Sequence, residues 1–128
     1  MMRMAEGRSV MTSGHDVYDD GVLRVMRTGS PPVVVIAGEI DESNYAGLVG
    51  TLDRLVDGLI EVHVNLAKVD FCDLAGLRAI VRLTEIGREG HELRVRRLVL
   101  HEAPRQVRRV LQIMGWDTIP GLIMNESS

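Results

Sequence analysis

Short apolar runs alternate along this chain with segments whose apolar residues recur every three to four positions. The short runs have the length of strands, and the recurring segments have the spacing of one buried helix face. Strands that alternate with helices favour a sheet with right-handed crossover connections. The pattern therefore predicts an α/β fold: a mixed, mostly parallel sheet of four to five strands, with about three to four helices packed against it.

Four apolar runs carry the strand predictions. Residues 22–26 and 33–36 flank the turn sequence "TGSP" and are predicted to form a hairpin that leads into a buried strand. The third run is "IEVHVNL". The fourth, "HELRVRRLVL", is interrupted by Arg96 and Arg97, which is compatible with a bulge.

Three helices are predicted from apolar spacing and from residues that suit helix ends. Ser43 or Asn44 can cap the first helix, and Pro104 suits the first turn of the third. A glycine follows each pattern, as is common where helices end. The predicted helices run from after Asp41 to Gly58, from near Ala75 to Gly90, and from Pro104 to Gly115.

The length of 128 residues allows one domain with a hydrophobic core. We expect a flexible tail over residues 1–16, the domain over 17–120 and a second tail over 121–128. The chain has a single cysteine, no signal-peptide pattern and no apolar run near the roughly 18 residues of a membrane span. These features predict a cytoplasmic protein, and the net charge of -3 argues against a general nucleic-acid binder.

Patterns that would indicate catalysis or metal binding are absent from the sequence. His15, His63, His91 and His101 are scattered, with no HxxxH or CxxC spacing, and His63 is expected to lie in or beside the third strand. Cys72 precedes a helix start, but no histidine is near it in the sequence, so we interpret it as a small buried residue. No phosphate-binding glycine loop is present. We therefore predict no enzyme activity, no metal and no cofactor.

Two loops at predicted strand ends carry the polar residues of interest. They are "GEIDESN", with Asp41, and "DFCDLAG", with Asp73. In partly parallel sheets, ligands and partners usually meet such loops. A separate alternative is a basic face for nucleic acid or an anionic ligand, formed by Arg94, Arg96, Arg97, Arg105, Arg108 and Arg109.

Three segments in order, "VVVIAGEID", "VHVNLAKVDFCDLAGLRAIVRL" and "APRQVRRVLQIMGWDTI", resemble the STAS domain of bacterial anti-sigma factor antagonists. The resemblance runs from about Val22 to Ile119. It implies a STAS-like fold and a regulatory, non-enzymatic role. In that family, an anti-sigma factor that is also a serine kinase phosphorylates a serine in the central motif, and the phosphorylated antagonist releases it.

The resemblance also assigns positions in the central motif. Asp73 matches the motif aspartate, Leu74 the first serine, Ala75 the phosphoacceptor and Gly76 the glycine, while Asp41 matches the loop aspartate. A methyl group cannot accept phosphate, so the resemblance implies a recognition loop without its switch. The implied partner-binding surface comprises Asp41, Glu42, Ser43, Asn44, Asp73, Leu74, Ala75, Gly76, Arg78 and Arg82.

Three interpretations remain open at this point. The chain is a constitutive antagonist that binds an anti-sigma kinase, or a STAS scaffold subunit of a larger signalling complex with other STAS or regulatory proteins. The third interpretation is the arginine face. The first two involve no nucleic acid and no membrane, and they predict a monomer or a weak homodimer.

Overall fold

The computed structural model describes residues 9–12, 15–89 and 92–125. Within these residues, nine strands and three α-helices follow one another along the chain. In chain order they are β1 (Ser9–Thr12), β2 (His15–Asp19), β3 (Leu23–Thr28), β4 (Val33–Ile40), α1 (Tyr45–Leu55), β5 (Glu61–Cys72), α2 (Leu74–Val81), β6 (Glu85–Glu89), β7 (Glu92–Val95), β8 (Arg97–His101), α3 (Arg105–Met114) and β9 (Leu122–Asn125).

Seven strands form one sheet in the order β1-β2-β3-β4-β5-β8-β9, and β6 pairs with β7 in a separate hairpin. The pairs from β1 to β4 are antiparallel, and the pairs from β4 to β9 are parallel. Five of the seven strands, all except β1 and β3, therefore run in the same direction. This confirms the predicted α/β fold with a mixed, mostly parallel sheet. The predicted count of four to five strands is wrong, because additional strands pair at both edges.

One apolar cluster joins the sheet to the helices. Along β5, Val62, Val64 and Leu66 are buried and alternate with Glu61, His63 and Asn65, which are more exposed. This period of two puts one strand face in the core and the other toward solvent. The same cluster takes in Leu48, Leu52 and Leu55 of α1, Leu77 and Ile80 of α2, and Val107 and Leu111 of α3.

The two predicted tails are partly strands. Residues 9–12 pair with residues 15–18, and β9 pairs with β8 from Leu122 to Asn125. Residues 1–8, 13–14 and 126–128 lie outside the described part of the chain. The edge strands β1 and β9 have four residues each, which is too short to show a distinct apolar period in the sequence.

The second helix is shorter than predicted. It ends at Val81 and continues as one 3₁₀ turn over Arg82–Thr84, whereas the prediction extended it to Gly90. The reason lies in the competition for its carbonyl groups. Arg96 donates from Nη1 to the Leu83 carbonyl at 3.0 Å and from its backbone N–H to the Thr84 carbonyl at 2.6 Å. A continuing α-helix would need both carbonyls as acceptors.

Arg96 is a buried structural residue. Its side chain also donates from Nε to the Leu59 carbonyl at 3.0 Å, and the residue is 8% exposed. Burial is the main cause that lowers its pKa. Arg97 forms an ion pair with Glu61 through Nε at 3.4 Å. Two of the six residues in the predicted basic face, Arg96 and Arg97, therefore already have contacts within the domain. The side chain of Arg94 lies outside the described residues.

Replacing Arg96 by methionine should lower the free energy of unfolding by about 2 kcal/mol, since it leaves the buried Leu83 carbonyl and the partly buried Leu59 carbonyl without their charged donor. Urea denaturation of the purified protein measures this. Arg97→Met is the matched control, because its ion pair is exposed and should change stability by less than about 0.5 kcal/mol. An equal loss of stability in both variants would show that the hydrogen bonds of the Arg96 side chain do not stabilise the segment after α2.

Candidate partner-binding site

The two acidic loops meet at the ends of β4 and β5. Ile40 is the register partner of Cys72, and the Asp73 backbone N–H donates to the Ile40 carbonyl at 3.1 Å. Each strand ends there, so Asp41 and Asp73 both follow directly from this paired position. The structure therefore places the two predicted loops side by side.

The first turn of α2 is built on Asp73. Its carboxylate Oδ1 accepts a hydrogen bond from the Gly76 backbone N–H at 2.8 Å, which is an N-cap interaction. Gly76 is buried, and a Cβ at this position would overlap the Cγ2 methyl of Ile40. The missing side chain lets the helix start pack directly on the end of β4. Ala75 and Leu74 point outward from the same turn and are exposed.

The loop after β4 is held by its own side chains. The Asp41 carboxylate accepts from the Ser43 backbone N–H at 2.9 Å and from the Ser43 hydroxyl at 2.5 Å. The hydroxyl bond is the main cause that lowers the Asp41 pKa. Glu42 is exposed at the tip of this loop. The fixed loop presents acidic groups beside the start of α2.

Asn44 occupies the N-cap position of α1, but its side chain does not cap the helix. Its Oδ1 accepts from the Asp41 backbone N–H at 3.1 Å, and its Nδ2 donates to the Glu39 carbonyl at 3.0 Å. Asn44 is also buried, at 4% exposure. Asn44 is thus the N-cap residue, one of the two that the sequence offered, but it makes no side-chain capping bond. Both side chains bond within the loop.

Gly38 sets the direction of this loop. Its φ of 102° lies in the left-handed region, and a Cβ there would overlap the Val22 carbonyl oxygen. The pairing register of β4 with β5 shifts between Gly38 and Glu39. The glycine of the "GEID" motif thus forms an irregularity in β4 just before Asp41.

Apolar side chains are exposed beside the acidic groups. Phe71 and Leu74 are 49% and 45% exposed, which is high for large apolar residues. Phe71 also lines a shallow groove between the end of β5 and α3, with a volume of about 40 Å³. The groove residues are Val69, Asp70, Phe71, Cys72, Pro104, Gln106, Val107 and Val110.

Phe71 was not among the sequence candidates. The sequence pattern gave no signal for it, because the alternation of β5 breaks after Leu66, where Ala67 and Lys68 are both exposed. Cys72 is half-buried, and burial together with the Asp73 charge raises the pKa of its thiol to about 12. Such a thiol stays protonated and is a poor nucleophile at neutral pH.

Arg78 of α2 and Arg82, the first residue of the 3₁₀ turn after it, have separate contacts. The Arg78 guanidinium carbon lies 6.0 Å from the centre of the Trp116 ring, in a cation–π arrangement. Arg82 pairs through Nη1 with Asp53 of α1 at 3.2 Å. Arg78 lies one turn beyond Leu74, whereas Arg82 lies two turns beyond it. Arg78 therefore borders the exposed apolar residues, and Arg82 marks the far end of the helix.

Within residues 9–12, 15–89 and 92–125, no helix is both long and apolar enough to cross a membrane. Over the same described ranges, no group of three or more His, Cys, Asp or Glu side chains is placed to hold a metal ion.

The fold and the paired loops define a STAS domain. A family model described as "Mlab, STAS domain" matches residues 23–124, so the chain belongs to this STAS family. The fold is also similar to the crystal structure of an anti-sigma factor antagonist from Mycobacterium paratuberculosis. That likeness has a TM-score of 0.61 and 20% sequence identity, and it covers 79% of this chain and 85% of the other. The search of curated proteins finds no match to this chain.

Proposed function

We propose that this chain is a non-enzymatic regulatory domain of the anti-sigma factor antagonist type, acting in the cytoplasm. It binds an anti-sigma factor with serine kinase activity through the start of α2 and the Asp41 loop. The observation that carries this proposal is Ala75, an exposed methyl group at the helix start where the resembling family has its phosphoacceptor. Binding at this site proceeds without a phosphorylation switch.

The surface around Ala75 suits a protein partner. Leu74 and Phe71 expose apolar area at a rigid helix start, and protein interfaces are rich in such residues at their centres. Asp41, Asp73 and Glu42 supply a polar rim that can select a basic partner surface. This surface of apolar residues with an acidic rim is present without any phosphorylation.

Other hydroxyl groups nearby are poor substitutes for the missing serine. Thr51 and Thr84 are 2% and 4% exposed, and the Thr84 hydroxyl donates to the Val81 carbonyl at 3.1 Å. The Ser43 hydroxyl is exposed but bonded to Asp41. Phosphorylation of Ser43 would remove the bond from its hydroxyl to Asp41 and add negative charge beside that carboxylate, which favours binding without modification.

The binding proposal is tested by capture from the cytosol of the source organism, with mass spectrometry of the retained proteins. We expect a small ATP-binding serine kinase that stays bound with and without ATP. The matched variant Ala75→Ser restores a hydroxyl, so the bound kinase should phosphorylate it when ATP is added. The phosphoserine should then release the kinase, because phosphate adds about -1.5 to -2 charge at the contact. A kinase that ATP releases from the wild-type chain would overturn the proposal. So would failure of the captured kinase to modify the serine variant.

A second candidate is a STAS scaffold subunit of a larger complex. The apolar area at Phe71 and Leu74 favours it, since permanent interfaces are more apolar than transient ones. In that case the capture recovers other STAS or regulatory proteins in a stable assembly, without a serine kinase. Size-exclusion chromatography of the captured material distinguishes the two outcomes.

A further inference from the structure

A second apolar surface lies on the sheet face opposite the helices. Val99 of β8 is only 7% exposed, yet it does not belong to the core cluster that joins the sheet to the helices. Its register partners are His63 of β5 and Ile123 of β9. The residues of β9 that pack on the core cluster are Leu122 and Met124, which alternate with Ile123. Val99 and Ile123 therefore point away from the helices.

This apolar surface extends across five strands, from β3 to β9. Register partners on neighbouring strands share one face of a sheet, so they form rows across it. Two adjacent rows on the face opposite the helices contain apolar residues that lie outside the core cluster and are half-buried or buried. We name these five residues the open face: Met26, Val33, Val35, Val99 and Ile123.

The sequences of two parallel strands indicate a cover on both of their faces. β4 begins with "VVVI" and β8 contains "LVL", so apolar side chains point to both sides of each strand. Continuous apolar runs of this kind are typical of parallel strands that are covered on both faces. Among the described residues, all three α-helices pack in the one core cluster, so they cover the other side of the sheet. The open face therefore lacks the cover that such strands usually have.

Polar side chains of β5 that cross the open face bond within the chain. The two ring nitrogens of His63 contact Glu61 at 2.7 Å and His101 at 2.8 Å. Asn65 Oδ1 accepts a hydrogen bond from the Ala67 backbone N–H at 2.8 Å. A partner that covers the open face leaves these bonds in place, which limits the cost of burying the polar groups.

The charges around the open face indicate the kind of partner. Arg97 pairs with Glu61 at 3.4 Å, and Arg24 pairs with Asp19 at 3.5 Å. Lys68 of β5 adds one positive charge near this margin. The surface is therefore nearly neutral and offers little to a partner that is selected by opposite charge. It is complementary to another nearly neutral, apolar sheet face, and a second copy of this chain presents such a face without strong repulsion.

We propose that the open face is the contact between two copies of this chain, related by a twofold axis. The two sheets pack face to face about 10 Å apart. Five strands that are about 4.8 Å apart and about 17 Å long present roughly 400 Å², about half the area per partner of a standard interface. The dimer is therefore weak. Because the contact lies opposite the helices, it leaves the start of α2 accessible to the proposed partner.

Sedimentation equilibrium of the purified chain tests this contact between about 5 and about 500 µM, which brackets the dissociation constant of a weak dimer. We expect wild type to change from monomer to dimer over this range. Val35→Lys puts a positive charge into the open face of both copies, so its dissociation constant should rise at least about 30-fold. The matched control Ile113→Lys adds the same charge on α3, where Ile113 is 73% exposed, and should keep the dissociation constant within about twofold of wild type.

A dilution series on wild type does not depend on the folding of any variant. In ¹⁵N NMR spectra, the amide shifts of residues 33–37, 97–101 and 122–125 should change between about 500 and about 20 µM, while those of α1 stay constant. Shift changes confined to α2 and α3, or dimers that Val35→Lys leaves intact, would overturn the proposal, because the copies would then meet elsewhere. A wild-type chain that stays monomeric at the highest concentration would also overturn it and leave the open face to a different protein.

Discussion

Replacing Gly76 by valine should lower the free energy of unfolding by about 3 kcal/mol, because the core at this point has no room for a side chain. A Cβ at Gly76 would overlap Ile40 Cγ2 and lie 3.1 Å from Ile40 Cβ. Ile40 is fully buried and β-branched, so it cannot turn away easily. The start of α2 would have to move away from β4. Urea denaturation measures the loss.

Gly50 provides the matched control for this substitution. It is also a helix glycine, on the exposed side of α1, and nothing lies within 4 Å of a Cβ placed there. Gly50→Val should change stability by less than about 0.5 kcal/mol, since valine is a slightly better helix residue than glycine. If both variants unfold at the same urea concentration, the contact between Gly76 and Ile40 is not what positions the candidate site.

Local sequence signals predicted some elements well. The third helix lies between Pro104 and Gly115 as expected, because proline fits a helix start and Gly115 adopts a φ of 74° at its end. The end of α2 could not be predicted in this way. It is set by Arg96, whose bonds to the Leu83 and Thr84 carbonyls depend on tertiary packing rather than on helix period.

The candidate site also combines features that local sequence signals predict with features that depend on tertiary packing. The position of Asp73 before an apolar helix predicted a residue at a helix start, and its carboxylate caps α2. The exposure of Phe71 at the end of β5 was not visible in the sequence pattern. His63 and His101 looked scattered because they are 38 positions apart, yet the parallel register of β5 and β8 brings their ring nitrogens to 2.8 Å. Contacts between distant strands require the pairing register, which composition and spacing do not contain.

Replacing Ala75 by glutamate should weaken capture of the partner at least about 30-fold without weakening the fold, which corresponds to about 2 kcal/mol of binding free energy. Ala75 lies in the first turn of α2, where a negative charge interacts favourably with the helix dipole. The stability of the variant should therefore stay within about 0.5 kcal/mol of wild type. At the proposed contact, however, the carboxylate must lose water beside Leu74.

Ala75→Gln is the control that separates charge from size. It adds nearly the same volume without a charge, so we expect it to keep binding within about fivefold of wild type, since it avoids the larger penalty for burying an ion. Affinity is measured with the partner captured from the cytosol, and stability by urea denaturation of the same preparations. Equal weakening by glutamate and glutamine would attribute the effect to size, which contradicts a charge-sensitive contact. Unchanged binding in both variants would place the partner surface elsewhere on the domain, because an interface centred on the first turn of α2 cannot bury the glutamate carboxylate without a loss of affinity.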